Sequence, residues 1–158
     1  MTSGKFLVIL PDNSHEYRFR QLFLIDIENN SRTLLTSAEA EVTEIVEWTK
    51  EDQVYYISTL PGNPGSRHLF RLQIGDSNIE CLTCEQLEMV PSLQKRATCD
   101  FVSISMSKEG SYYMMDCKGP DVPYTCLHQS RTNSLLSVWS DNSVLEKKLA
   151  KIEMATVQ

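Results

Sequence analysis

Three observations predict an all-β fold for these 158 residues. Short apolar runs alternate with period two, Gly, Pro, Asn and Asp clusters punctuate them at short intervals, and one string occurs twice. The expected architecture is a partial β-propeller of about two to three four-stranded antiparallel blades, closed off by a short C-terminal helix. A sandwich of two four-stranded sheets is the competing arrangement.

The strands follow in order. KFLVIL (Lys5–Leu10) and QLFLIDI (Gln21–Ile27) are rich in β-formers and separated by a polar stretch. Together with SRTLLTS they read as the last three strands of a blade. VTEIVEW (Val42–Trp48) alternates apolar and polar side chains, and QVYYIST (Gln53–Thr59) follows a short turn. LPGNPGS, with two prolines and two glycines, reads as a turn before RHLFRLQI (Arg67–Ile74) and a short NIECL. A second group comprises FVSISM (Phe101–Met106), SYYMMDC (Ser111–Cys117), YTCLHQ (Tyr124–Gln129) and LLSVWS (Leu135–Ser140).

The repeat joins the two groups. EWTKEDQVYYIST matches SMSKEGSYYMMDC: a strand end, a Thr/Ser-Lys-Glu turn, then a strand opening on Tyr-Tyr. Only the C-terminus has helical spacing. Asp141, Asn142 and Ser143 offer N-caps, and Val144, Leu145, Leu149 and Ile152 follow on one face. The division expected is a propeller segment over 1–140 and a helix and linker over 141–158.

The net charge of −6, from 15 basic and 21 acidic residues, speaks against a nucleic-acid partner, which requires a basic footprint. No run approaches the roughly 20 apolar residues that span a bilayer, and the N-terminal apolar run stops at Pro11 and Asp12 without the pattern of a signal peptide. The expectation is a cytosolic chain or a piece separated from its targeting segment.

Cys81, Cys84, Cys99, Cys117 and Cys126 admit three readings. A zinc site ordinarily needs two ligand pairs, whereas there is one C-x-x-C and His15, His68 and His128 are isolated in sequence. A redox pair sits before a helix N-terminus, whereas Cys84 leads to Pro91 and a strand. Disulfides fit better: Cys81–Cys84 can close a tight loop, and Cys99 and Cys117 flank adjacent antiparallel strands, within bonding reach. Cys126 is left over as a buried thiol. Disulfides imply an extracellular or lumenal compartment, with which the sequon Asn29-Asn30-Ser31 is consistent.

The strings RHLFRLQIGDSNIECLTCE, MSKEGSYYMMDCKGPDVPYTCLH and DNSVLEKKL resemble the last propeller blades of the dipeptidyl peptidase IV family. C-x-G-P-x-x-P at Cys117–Pro123 and C-L-T-C-E at Cys81–Glu85 carry the resemblance most specifically, over roughly Glu41 to Met154. Glu85–Thr98 is longer than the family usually shows.

The resemblance implies an eight-bladed propeller capping an α/β-hydrolase domain, in a dimeric type II membrane glycoprotein at the outer face of the plasma membrane or secreted. That family removes N-terminal dipeptides ending in proline or alanine, with a Ser-Asp-His triad and no cofactor or metal. It also implies disulfides Cys81–Cys84 and Cys99–Cys117. The catalytic serine belongs to a G-x-S-x-G elbow, which Gly65-Ser66, Gly75-Asp76-Ser77 and Gly110-Ser111 all fail to complete. The family's substrate-binding glutamate pair has no counterpart either, so no catalytic residue is expected. The chain would depend on its hydrolase domain and remaining blades as partners. A non-catalytic relative serving as a binding or channel-auxiliary subunit is the alternative, and an unrelated disulfide-bonded β-domain is a third.

Overall fold

A computed structural model of the chain describes residues 4–13, 18–36, 39–84, 88–90, 95–97 and 99–146. Three antiparallel meanders follow one another along the chain. The first joins β1 (Lys5–Pro11), β2 (Arg20–Asp26) and β3 (Ser31–Leu34) in that order. The second runs β4 (Val42–Trp48), β5 (Gln53–Leu60), β6 (Asn63–Gln73) and β7 (Ile79–Cys81). A separate hairpin, β8 (Glu88–Val90) with β9 (Lys95–Ala97), precedes the third meander. That one runs β10 (Val102–Met106), β11 (Tyr112–Cys117), β12 (Tyr124–Gln129) and β13 (Ser134–Ser140), and α1 (Ser143–Glu146) follows it.

Strand β5 explains how the sheets stack. Six of its residues, Val54 to Thr59, are buried, because the sheet is covered on both sides. Successive side chains point to opposite faces. Val54 and Tyr56 therefore pack with Leu22, Val42 and Leu72 toward the first sheet. Tyr55 and Ile57 pack with Leu69, Leu82, Val102, Tyr113 and Met115 toward the third. This face-to-face stacking of successive meanders is the propeller arrangement expected from the sequence.

The repeated Thr/Ser-Lys-Glu string closes two turns with the same pair of bonds, the second turn one residue longer. Thr49 N donates to Gln53 O at 2.9 Å, and Gln53 N donates back to the Thr49 hydroxyl at 3.2 Å. Ser107 N donates to Tyr112 O at 2.8 Å, and Tyr112 N donates to the Ser107 hydroxyl at 2.9 Å. A short hydroxyl side chain at the turn's first position satisfies the strand's first N–H in both cases. Gly110 brings the two turns together: its φ is +72° and an added Cβ would lie 2.7 Å from Thr49 Cγ2.

Two segments differ from their sequence reading. LPGNPGS is a turn only at Pro61 and Gly62, since Leu60 already pairs with Asn63. The Ser66 hydroxyl, accepting from Leu60 N at 2.8 Å, replaces a ladder partner there and lets the strand run back through Pro64. The expected helix over 141–152 is described for Ser143–Glu146, where Ser143 N donates to Asp141 Oδ1 at 2.9 Å; the remainder lies outside the described residues.

Candidate functional site

The chemistry-bearing side chains gather in the seam between the second and third sheets. Strand β7 ends on Cys81, which is bonded to Cys84 with the Cα atoms 5.7 Å apart. The loop between them turns Leu82 and Thr83 inward, and both are buried. Leu82 N donates to Leu69 O at 2.8 Å, and Leu69 N donates to the Thr83 hydroxyl at 3.0 Å. The threonine thus extends the β6–β7 ladder past the end of β7.

That extension sets His68 beside the C-x-x-C loop. Phe70 pairs with Cys81, so the position two residues earlier on β6 falls opposite Thr83. His68 Nδ1 lies 3.2 Å from the Thr83 carbonyl and 3.2 Å from its hydroxyl. In sequence this histidine is isolated; the signal that could have found it is the β6–β7 hairpin register, counted outward from the Gly75 turn.

A hydrogen-bonded chain crosses the seam. Asn133, in the β12–β13 turn, donates through Nδ2 to Leu82 O at 2.8 Å and accepts from the Tyr113 hydroxyl at 2.5 Å. The Tyr113 ring stacks on His128 with centroids 4.8 Å apart and planes 6° from parallel. His128 Nε2 in turn lies 3.3 Å from Cys126 Sγ, and Cys126 is buried in β12 outside both disulfides. Below this chain Cys99 is bonded to Cys117, with Cα atoms 5.7 Å apart. Arg67 N donates to Asp100 O at 2.8 Å, so β6 also holds the segment that leads into β10.

Burial depresses the pKa of both seam histidines. For His68 desolvation outweighs the opposing bond to the Thr83 backbone and the charge of Asp100; for His128 it outweighs a backbone bond to Asn133. The unfolded chain therefore binds protons near the ordinary value of 6.5 that the folded chain does not. The histidines' contribution to stability is complete above pH 6.5 and is lost as pH falls from there toward the lower folded values. Urea midpoints should drop between pH 7.5 and pH 5, above the range where Asp26 titrates. A midpoint constant over that interval would contradict the assignment.

Two other predicted positions lie apart from the seam. Asn29 is exposed in the β2–β3 turn, where its Nδ2 donates to Asp26 Oδ2 at 2.8 Å and its backbone N donates to Asp26 Oδ1 at 3.0 Å. These bonds, more than the nearby Lys5 charge, hold the Asp26 carboxyl below its ordinary pKa. At the opposite end of the seam a cleft of about 460 Å³ opens between the paired turns, lined by Lys50, Gln53, Glu109, Ser111 and Arg131 among others. Lys50 Nζ and Glu109 Oε1 close an ion pair across it at 3.0 Å.

Residues 1–124 match the family model described as the dipeptidyl peptidase IV (DPP IV) N-terminal region. The chain belongs to the dipeptidyl peptidase IV family. It is 35% identical over 143 residues to dipeptidyl peptidase 4 of Felis catus, an alignment that covers 89% of this chain and 18% of the cat protein. It is 24% identical over 158 residues to inactive dipeptidyl peptidase 10 of Mus musculus, covering 96% of this chain and 19% of that one. The chain thus spans about a fifth of the length of these relatives. Among solved structures, Porphyromonas gingivalis dipeptidyl peptidase 4 superposes with a TM-score of 0.72 at 16% identity, over 93% of this chain and 18% of that one. At that identity the likeness speaks for the fold, a segment of the family's N-terminal propeller.

Proposed function

We propose that this chain is a propeller segment of a dipeptidyl peptidase IV-like serine exopeptidase, and that it acts by scaffolding, by gating substrate entry and by binding proteins. The observation that carries this reading is a difference between corresponding faces of the second and third sheets. Val54 and Tyr113 are the first ladder residues after their turns and both pack toward the preceding sheet, so Tyr55 and Tyr112, each one residue away, lie on the opposite face of their own sheet. Tyr55 is 1% exposed beneath the third sheet, whereas Tyr112 is 45% exposed. Leu136 and Trp139 on β13 are likewise 50% and 69% exposed. The third sheet carries large apolar side chains on a face that no described residue covers, which fits a further blade or domain as its neighbour.

In the intact protein, this reading assigns removal of N-terminal X-Pro or X-Ala dipeptides to a hydrolase domain. Residues 1–140 would wall the cavity and 141–158 would lead toward that domain. Homodimerisation and a place on the extracellular face of a membrane, or secretion, belong to the same reading. The two disulfides support an oxidising compartment. Among the described residues no helix is long and apolar enough to cross a membrane. The purified chain should release no chromogenic amine from a Gly-Pro substrate, because its sequence lacks the nucleophile elbow. Release above a heat-treated control would overturn this.

Asn29 is the proposed glycan acceptor, on an exposed turn away from both packed sheet faces. Expression through a secretory pathway should add glycan mass that Asn29→Gln removes. An unmodified secreted chain would refute it. The second reading, a non-catalytic subunit, draws on the similarity to inactive dipeptidyl peptidase 10. Assay of the full-length protein with the same Gly-Pro substrate separates the two.

A further inference from the structure

The C-x-x-C loop and strand β6 bring three metal-ligating side chains to one place. A ring nitrogen of His68 and the sulfurs of Cys81 and Cys84 all lie within 4.8 Å of one another. His68 is 2% exposed. Its Nδ1 lies 3.2 Å from the Thr83 carbonyl and 3.2 Å from the Thr83 hydroxyl; the carbonyl can only accept, and in the tautomer that donates to it the ring proton is on Nδ1. The remaining lone pair is then on Nε2, which is buried and has no hydrogen-bond partner among the described residues. A histidine with one nitrogen held by a backbone carbonyl and the other left for an ion is the usual arrangement of a metal-ligating imidazole. The two cysteines are half-buried, which gives water access to a fourth position.

We propose that Cys81, Cys84 and His68, once the disulfide is opened, form a site for a thiophilic divalent ion of the zinc type, with water as the fourth ligand. A dithiol reductant delivers two electrons and two protons to the Cys81–Cys84 bond and is itself oxidised to a disulfide; the S–S bond breaks and two thiols form. The ion then displaces both thiol protons to solvent and makes two bonds to sulfur and one to nitrogen. Zn–S bonds of about 2.3 Å and Zn–N bonds of about 2.0 Å in a tetrahedral site put such atoms roughly 3.5–3.8 Å apart. The spacing is within reach of side chains already inside 4.8 Å of each other. The C-x-x-C spacing is that of structural zinc sites, and the histidine replaces the absent second pair.

The test uses the full 158-residue chain, reduced anaerobically with a dithiol, freed of reductant and titrated with Co²⁺ and then Zn²⁺. One ion per chain is expected, with sulfur-to-cobalt charge-transfer absorption that Zn²⁺ abolishes. X-ray absorption should give a shell of two sulfurs and lighter atoms. His68→Gln should weaken Zn²⁺ binding by about tenfold or more, Cys84→Ser should abolish the charge-transfer band, and Cys99→Ala/Cys117→Ala should leave binding unchanged. No ion bound by the reduced chain, or a shell of four sulfurs, overturns the proposal. So does unchanged affinity in His68→Gln; if that variant does not fold, the wild-type absorption shell and the part-exposed Cys84→Ser decide the question.

Discussion

Replacing Tyr113 by alanine is expected to destabilise the chain by about 3–5 kcal/mol, the range for removing a large aromatic side chain from a core. Tyr113 is completely buried where the second and third sheets meet, among Tyr55, Leu82 and Met115. Truncation forfeits the transfer free energy of the ring and leaves a cavity that strands on both sides cannot collapse to fill. It also removes the stack on His128 and the hydroxyl that donates to Asn133. Asn133 is the residue that ties the β12–β13 turn to Leu82 of the disulfide loop, so its loosened side chain weakens a second contact between sheets. Tyr113→Phe keeps the ring and deletes only the hydroxyl, for which a loss of about 1 kcal/mol is expected. Denaturant unfolding of the three proteins at one pH measures both. A cost for Tyr113→Ala no larger than that for Tyr113→Phe would show that the seam is not the core of the chain.

The parts of this seam differ in how far the sequence discloses them. Period-two alternation and the recurrence of Thr/Ser-Lys-Glu before Tyr-Tyr identify the strands and the turns, because both are local: a side chain's face follows from parity, and a turn from its own few residues. The two-sidedness of β5 is already visible in QVYYIST, a run with hardly a polar face. What is not local was not legible. His68 meets the C-x-x-C loop only through the register of β6 on β7, which depends on where the intervening turn places its glycine. The link from Leu82 through Asn133 to Tyr113 joins residues 51 and 20 positions apart, and nothing in their neighbourhoods marks them. The β8–β9 hairpin falls in Glu85–Thr98, the stretch that stands out from the family strings by its length; short strands of mixed polarity there give no alternation to read.

Opening the two disulfides separately should have unequal consequences, because they close loops of different length. Cross-linking lowers the entropy of the unfolded chain by an amount that grows with the logarithm of the loop. The Cys99–Cys117 bond, with a sequence separation of 18, should contribute about 3 kcal/mol, and Cys81–Cys84, with a separation of 3, about 1.6 kcal/mol. Native-state effects widen the gap. Cys117 is 1% exposed at the end of β11, and Cys99 adjoins the Asp100–Phe101 segment that β6 holds through Arg67. That segment also pairs with the far side of the loop, where Asp100 N donates to Gly119 O at 2.9 Å and Lys118 N donates to Phe101 O at 2.9 Å. Without the bond, those segment contacts are held by hydrogen bonds, and the apolar seam beneath them loses its cross-link. Comparing Cys99→Ala/Cys117→Ala with Cys81→Ala/Cys84→Ala by urea unfolding isolates the effect from solvent reductant. The first pair should lose about twice as much stability as the second, and amide exchange should accelerate across β10 and β11. Equal losses, or a larger loss from the short loop, would mean that Cys81–Cys84 stabilises the native seam itself rather than the ensemble it unfolds to.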